Sequence, residues 1–251
     1  MIREPHPILL HDAGASSHEW RAVAEDLGGV RPLHPDLPGF GTGADPGAVT
    51  PAMAARAVQE AVRSAGFERF VLVGHGLSAL VARLVADDAP PGLVGVALVS
   101  PAPAPREGDW ARVREAYGAL RAAGTDVEAA RGAYAPWGLA DVPPGDQEFL
   151  LTDLGRVQPA AWDAWLGEDA WSGVPPLTAL RGTPVLVIRG SRDPLSPATP
   201  EGVEECVVEG TSRLLPLTSP REVTRHLLHW TRTTLADVTR TASETRAKDH
   251  Q

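Results

Sequence analysis

A strand that turns abruptly into a helix is the sequence feature that most limits what this 251-residue chain can fold into. Residues 70–73 form an apolar run typical of a buried strand, and residues 77–87 have the spacing of a helix. The turn Gly74-His75-Gly76 joins them, and residues 94–99 form the next apolar strand. A strand, a helix and a second strand in this order indicate a parallel pair of strands with a helical connection.

The same alternation covers most of the chain outside residues 104–178. Pro51 suits the first turn of a helix and Gly66 suits its end. We therefore predict an α/β fold with a mostly parallel sheet and helices on both faces. The predicted strands are 7–11, 30–33, 184–188 and 207–208. Three further helices are predicted: one that begins after Ser17, one at 51–65 and one from 221 to about 235.

Composition excludes several classes of function. The net charge is -9 and the basic residues are scattered arginines, so no nucleic-acid partner is expected. Cys206 is the single cysteine and no secretion signal is visible, which favours a cytoplasmic location. No apolar run approaches the roughly 20 residues that cross a bilayer, so a soluble protein without a membrane partner is expected. No motif calls for a nucleotide, flavin or metal, so we expect no cofactor, and the oligomeric state is open.

Residues 104–178 interrupt the alternation and are rich in proline, glycine and tryptophan. We predict that they form a helical lid inserted into a core of residues 1–103 and 179–236, followed by a disordered tail at 237–251. The tryptophans of the lid either anchor it on the core or line a pocket. Trp137, Trp162 and Trp165 are the candidates for contact with a ligand.

Four motifs, in order along most of the chain, resemble those of the α/β-hydrolase superfamily. The first resembles the family's His-Gly motif, the second its Asp-x-Pro-Gly-x-Gly turn, the third its nucleophile elbow G-x-S-x-G, and the fourth its acid-bearing strand and loop. The resemblance implies the α/β-hydrolase fold with a helical lid. The motifs are Leu9-Leu10-His11-Asp12-Ala13-Gly14, Asp36-Leu37-Pro38-Gly39-Phe40-Gly41, Gly74-His75-Gly76-Leu77-Ser78 and residues 185–194.

The resemblance places the nucleophile at Gly76, the acid at Asp193 and the base at Arg213. Glycine has no attacking hydroxyl, and an arginine stays protonated and cannot act as a base. Loss of the nucleophile alone costs roughly a million-fold in rate. The chain thus resembles a degenerate member without the serine nucleophile and the catalytic histidine, in which Ala13, Gly76 and Leu77 border the ligand.

Asp12 and Arg213 are the two substitutions that could change the chemistry. Asp12 follows His11, where the family usually has glycine, beside the point where a carbonyl oxygen becomes negative. It either faces the pocket as an acid or base with a raised pKa, or accepts hydrogen bonds from nearby backbone amides. Arg213 either pairs with Asp193 or holds an anionic group of a ligand.

Other polar residues have a structural and a functional interpretation. Ser78 is either a small packing residue or a displaced nucleophile, and His75 is either structural or catalytic. His18 is expected at the start of a helix. His226 and His229 have a spacing that a metal could use, but no third ligand is near in sequence, so no metal site is predicted.

These observations favour a non-hydrolytic enzyme with a lid-covered pocket for an apolar small molecule that bears a carbonyl group. The expected reaction is a cyclisation, elimination, isomerisation or rearrangement by positioning and acid/base chemistry, of a kind suited to secondary metabolism. The alternative is a pseudohydrolase that binds a ligand or a partner without turnover. The candidate catalytic residues are His11, Asp12, His75, Asp193 and Arg213.

Overall fold

A computed structural model of the chain describes residues 4–42, 49–180 and 182–248, with side chains as far as residue 234. The described strands form one parallel sheet in which each strand pairs with the next along the chain. This confirms the predicted fold class. The strands are β1 His6–Leu10, β2 Phe70–His75, β3 Leu93–Val99, β4 Val185–Gly190 and β5 Glu204–Val208.

Helices cover both faces of the sheet. Alternate strand residues point to opposite faces, and each set packs into its own apolar cluster. The helices α2 and α3 lie on one face, and α1 and α9 on the other. The helices are α1 Arg21–Asp26, α2 Pro51–Ala65, α3 Ser78–Asp87, α4 Trp110–Ala123, α5 Val127–Tyr134, α6 Pro144–Arg156, α7 Pro159–Leu166, α8 Leu215–Thr218 and α9 Pro220–Lys248.

The element α2 has the bounds that its end signals predict. The Thr50 hydroxyl caps it by accepting a hydrogen bond from the Met53 N–H at 3.2 Å, and Gly66 ends it with φ of +67°. The strand predicted at residues 30–33 is wrong, because only Leu33 bridges to β1. Pro32 has no N–H to donate to a sheet, which accounts for the difference.

The closing helix is longer than predicted. It extends to Lys248, whereas the sequence suggested a helix to about residue 235 and a disordered tail from residue 237. Three alanines and two arginines, with Glu244 and Lys248, lie in residues 236–248 and favour the helical backbone. Residues 249–251 of the expected tail lie outside the described part of the chain. No helix among the described residues is long and apolar enough to cross a membrane.

The fold brings the motif residues to one edge of the sheet. Asp12 follows the carboxyl end of β1, Gly76 follows β2 and Asp193 follows β4. Parallel α/β sheets bind ligands at this edge, outside the carboxyl ends of the strands. The helices α4–α7, which come between β3 and β4 in sequence, contribute side chains above it.

Candidate functional site

The turn after β2 has the sharp geometry of an elbow. Gly76 adopts φ of +60°, a left-handed conformation that favours glycine, and its N–H donates to the Val99 carbonyl at 3.1 Å. At Gly74 an added Cβ would lie 2.6 Å from the backbone oxygen of Ser78, so the glycine lets α3 pack directly against the strand. The predicted strand-to-helix turn is therefore present, without a nucleophile at its tip.

The carboxylate of Asp12 fills the space where a side chain at the elbow would stand. An ideal Cβ on Gly76 would lie 2.0 Å from the Asp12 Cγ atom, which is far below any real contact. Asp12 Oδ1 accepts hydrogen bonds from the N–H groups of Ala13 and Leu77, both at 2.8 Å. In the hydrolase arrangement the amide after the elbow and one from the first loop bind the oxyanion. A carboxylate of the chain itself occupies these donors here.

Tyr117 of helix α4 lies against that carboxylate. Its hydroxyl lies 2.8 Å from each oxygen of Asp12 and accepts a hydrogen bond from Arg213 Nη2 at 2.7 Å. Sequence reasoning missed this residue. The available signal was that both tyrosines of the chain, Tyr117 and Tyr134, fall within the predicted lid.

Arg213 lies between two carboxylates and is fully buried. Its Nη1 lies 3.4 Å from Asp193 Oδ2, so the ion pair predicted from the sequence is present, and its Nε lies 3.6 Å from Asp12 Oδ2. The guanidinium also lies 5.1 Å from the ring centre of Trp137 and 5.6 Å from that of Tyr117. Burial works to lower the pKa of Arg213, but Tyr117, Asp193 and Asp12 raise it overall, so the cation is secure.

The loop after β4 holds Asp193 firmly. Its carboxylate accepts hydrogen bonds from the Leu195 N–H at 2.9 Å and from the Ser196 hydroxyl at 2.8 Å. Its contact with Arg213 is longer than either of these, and so Asp193 serves mainly as an anchored counter-charge.

Glu19 and His75 form a second buried pair beneath the elbow. His75 Nδ1 lies 2.8 Å from Glu19 Oε1, and its Nε2 lies 3.0 Å from the backbone oxygen of Arg213. Both neighbours are acceptors, so the ring donates from both nitrogens as an imidazolium. Burial opposes both charges, yet their attraction lowers the pKa of Glu19 and raises that of His75. Glu19 also accepts from the Asp12 N–H at 2.9 Å and was missed from the sequence.

His11 and Ser78 hold the first loop against the elbow. His11 Nδ1 lies 2.9 Å from the Asp12 carbonyl oxygen, and its Nε2 accepts a hydrogen bond from the Leu37 N–H at 2.9 Å. The ring is therefore the neutral Nδ1–H tautomer and has no free nitrogen. The Ser78 hydroxyl donates to the His11 carbonyl at 2.5 Å, which matches its packing interpretation.

Charge is unevenly distributed across these groups. Three buried carboxylates, those of Asp12, Glu19 and Asp193, face two cations, His75 and Arg213. Burial raises the pKa of Asp12 above its ordinary value, although Arg213 and His75 act to lower it. Asp12 therefore takes up a proton more readily than Glu19, whose pKa is lowered.

Of the predicted ligand-lining tryptophans, two lie near this centre. Trp137 packs edge-on against both tyrosines of the chain, with ring centres 4.9 Å from Tyr117 and 5.6 Å from Tyr134. The far end of the Trp162 indole faces Gly14. Trp165 packs instead against the rings of Phe40 and Trp171, with no exposed surface, so its contacts are those of a core residue.

Surface grooves lie outside this buried centre. One of about 560 Å³ is lined by Phe67, Phe70 and Pro90, at the opposite edge of the sheet. Another of about 360 Å³ reaches Trp137 and the loop of Asp193 through Pro194 and Leu195. Within the described residues no group of three or more histidine, cysteine or acidic side chains could hold a metal ion. His226 of the candidate histidine pair instead lies 3.9 Å from Glu222.

A family model described as the alpha/beta hydrolase family matches residues 8–236. The chain therefore belongs to the α/β-hydrolase family. Solved structures share its fold: an esterase from Exiguobacterium antarcticum has a TM-score of 0.74 at 16% identity, covering 91% of this chain and 92% of that one. An epoxide hydrolase from Vigna radiata has a TM-score of 0.71 at 17% identity, covering 92% of each chain.

One relative found by sequence comparison is named a synthase and not a hydrolase. The chain is 34% identical over 92 residues to 2-succinyl-6-hydroxy-2,4-cyclohexadiene-1-carboxylate synthase of Salmonella typhimurium. The match covers 37% of this chain and 36% of that protein, so it spans about a third of the relative's length. The proteins that this chain resembles therefore include one named a synthase as well as proteins named an esterase and an epoxide hydrolase.

Proposed function

We propose that this protein is a non-hydrolytic enzyme in which Asp12 is the general acid and base for an apolar small molecule that bears a carbonyl group. The observation that carries the proposal is the Asp12 carboxylate, buried at the elbow in place of the nucleophile and bound by both neighbouring amides. Ester hydrolysis through an acyl intermediate has no nucleophile at Gly76 and no vacant pair of oxyanion donors.

The cost of the arrangement supports a catalytic role. Burying several charges is expensive, and apolar residues of similar size would often be as stable. A buried carboxyl with a shifted pKa and specific charge partners is characteristic of catalytic centres. Asp12 has both features at the edge of the sheet where the fold binds ligands. The name of the Salmonella synthase, which does not denote a hydrolase, is compatible with such chemistry.

The reaction step that fits Asp12 is proton transfer next to a carbonyl group. The carboxylate takes the proton from the α-carbon, and the C–H electron pair forms a C=C bond while the carbonyl π pair moves onto oxygen. Asp12, now a carboxylic acid, returns the proton to a carbon or an oxygen of the product. The donors of Tyr117 and Arg213 stabilise the negative oxygen. Tyr117 covers Asp12, so a ligand reaches it when α4 moves.

Deuterium exchange tests this step without knowledge of the natural substrate. We expect the wild-type protein to speed exchange of the C2 protons of 1-tetralone in D2O, measured by proton NMR across a panel of apolar ketones. The Asp12→Asn variant keeps the shape of the side chain but removes the base, so exchange should fall by about 100-fold or more.

A matched variant guards against a loss of fold. Glu107→Gln also removes a carboxylate, one that pairs with the buried Arg83, and should leave exchange unchanged. Exchange that persists in the Asp12→Asn variant would refute the proposed role.

A pseudohydrolase is the second candidate. It is favoured by the closed arrangement, in which Tyr117, Arg213 and two backbone amides already satisfy the Asp12 carboxylate. In that case the same ketones should raise the melting temperature of the wild-type protein by mass action, while none of them exchanges.

A further inference from the structure

Tyr134 is a buried donor that the proposed chemistry does not use. The residue ends α5, is 1% exposed, and its hydroxyl has no hydrogen-bond partner among the described residues. A buried hydroxyl without a partner costs free energy, typically about 1–3 kcal/mol. Its neighbour Tyr117 packs on the same indole, that of Trp137, and has both an acceptor and a donor. The two lid tyrosines therefore differ in one property, which is whether the chain satisfies the hydroxyl.

The hydroxyl points toward the first loop of the site. An ideal Cβ on Gly14 would lie 3.1 Å from the Tyr134 oxygen, 3.2 Å from Trp162 and 3.3 Å from Leu154. Gly14 has φ of +92°, which other residues rarely adopt. The glycine thus keeps a side chain away from the hydroxyl, two residues along the chain from Asp12.

The surroundings of Tyr134 define which acceptor suits it. Burial, followed by the nearby carboxylates of Asp12, Glu19 and Asp153, raises the pKa of the phenol well above its ordinary value. The hydroxyl therefore remains a donor throughout the neutral range. The same carboxylates would repel an anionic ligand group, whereas a neutral carbonyl oxygen accepts a hydrogen bond without bringing a further negative charge.

We propose that the Tyr134 hydroxyl recognises the ligand by donating a hydrogen bond to a neutral carbonyl oxygen. The class of ligand rests on the proposed function, since that function supplies the apolar carbonyl compound. Tyr134 is then a positioning residue that holds the carbonyl near Asp12. The Tyr117 hydroxyl differs in that it already bridges Asp12 and Arg213 in the structure.

Phenylalanine variants of the two tyrosines form a matched pair for the test. Without added ligand, Tyr117→Phe should lower the melting temperature because Asp12 and Arg213 lose a shared partner. Tyr134→Phe should leave it unchanged or raise it, because an unsatisfied hydroxyl is removed. A clear fall in the Tyr134→Phe variant would mean that the hydroxyl has a partner in the free protein and would overturn the proposal.

Binding of two probes tests recognition itself. Titration of tryptophan fluorescence would compare 1-tetralone with tetralin, which has the same rings without the carbonyl oxygen. We expect the Tyr134→Phe substitution to lower the affinity for 1-tetralone by about tenfold and to leave the affinity for tetralin unchanged. The inference would be overturned if the wild type and the variant bound 1-tetralone with equal affinity, or if the wild type did not bind 1-tetralone. It would also be overturned if the wild type bound the anion 1-naphthoate more tightly than 1-tetralone.

The two proposals fail separately. If 1-tetralone binding depends on Tyr134 but no ketone exchanges deuterium, the acid/base function is wrong and the recognition site stands. If exchange depends on Asp12 and Tyr134→Phe alters neither probe, the recognition site alone is wrong.

Discussion

Two buried ionic groups meet at Asp12, and they differ in how well their charges match. The support pair, Glu19 and His75, sets one carboxylate against one imidazolium and holds the Asp12 backbone. The elbow cluster, Asp12, Tyr117, Asp193 and Arg213, sets two carboxylates against one guanidinium. In the support pair each charge stabilises the other, whereas in the elbow cluster one acid is left over.

The difference in charge balance gives the two groups different abilities to exchange a proton. A matched buried pair gives both partners a reason to stay ionised, so its protons do not move near neutral pH. An unmatched buried acid has a raised pKa and can exchange a proton, which is what a general acid or base requires. The comparison therefore supports the proposal that Asp12 is the reactive group, while Glu19 and His75 hold its backbone in place.

The largest effect is expected when a side chain is added at the elbow. Gly76→Ala would place a Cβ 2.0 Å from the Asp12 Cγ atom and force the carboxylate off its two amides, in a backbone region that disfavours alanine. We expect the free energy of unfolding, measured by urea denaturation, to fall by about 4 kcal/mol or more.

The matched glycine Gly118 serves as the control, because an added Cβ there meets nothing within 4 Å. Gly118→Ala in helix α4 should be neutral or stabilising. Adding Asp12→Gly to Gly76→Ala should recover much of the loss. Independent, additive effects of the two substitutions would show that Asp12 and the elbow glycine are not coupled.

A smaller effect is expected when the elbow cluster loses its cation. Arg213→Met would leave Asp12 and Asp193 buried without a positive partner and should lower the free energy of unfolding by about 3 kcal/mol. Arg189→Met breaks a part-exposed pair with Glu205 and should cost less than about 1 kcal/mol. Similar losses in the two variants, measured under the same urea conditions, would contradict the burial argument.

Most of the fold was predictable because its signals are local. The apolar strand 94–99 and the capped helix α2 carry their own patterns, and the glycines at 74 and 76 mark the turn. The region of residues 30–33 was predicted wrongly as a strand. Only a single bridge forms there, at Leu33, because the proline at position 32 has no N–H to donate to a neighbouring strand. The length of α9 depended on helix propensity alone, which is a weak predictor.

The site was predictable where the family motif fixes a position, and not where partners come from distant segments. Asp12, Gly76, Asp193 and Arg213 come together as the motifs imply. Tyr117 reaches Asp12 from 105 residues away, and no periodicity in helix α4 specifies that contact. Of the two interpretations of Asp12, the acceptor of backbone hydrogen bonds matches the structure, and its role as an acid or base stays a prediction.

The smallest effect is the pH dependence of the support pair. Burial alone would lower the pKa of His75, but Glu19 raises it above the ordinary 6.5. From pH 6.5 upward to the raised value, the folded chain holds more protons than the unfolded chain, so the free energy of unfolding falls as pH rises. Glu19→Gln removes the cause of the raised pKa and should flatten the decline above about pH 6.5, measured by urea denaturation. His229→Gln changes an exposed histidine and should keep the wild-type decline. If the Glu19→Gln variant also follows the wild-type curve, Glu19 does not stabilise the charge of His75, and the contrast with the elbow cluster is wrong.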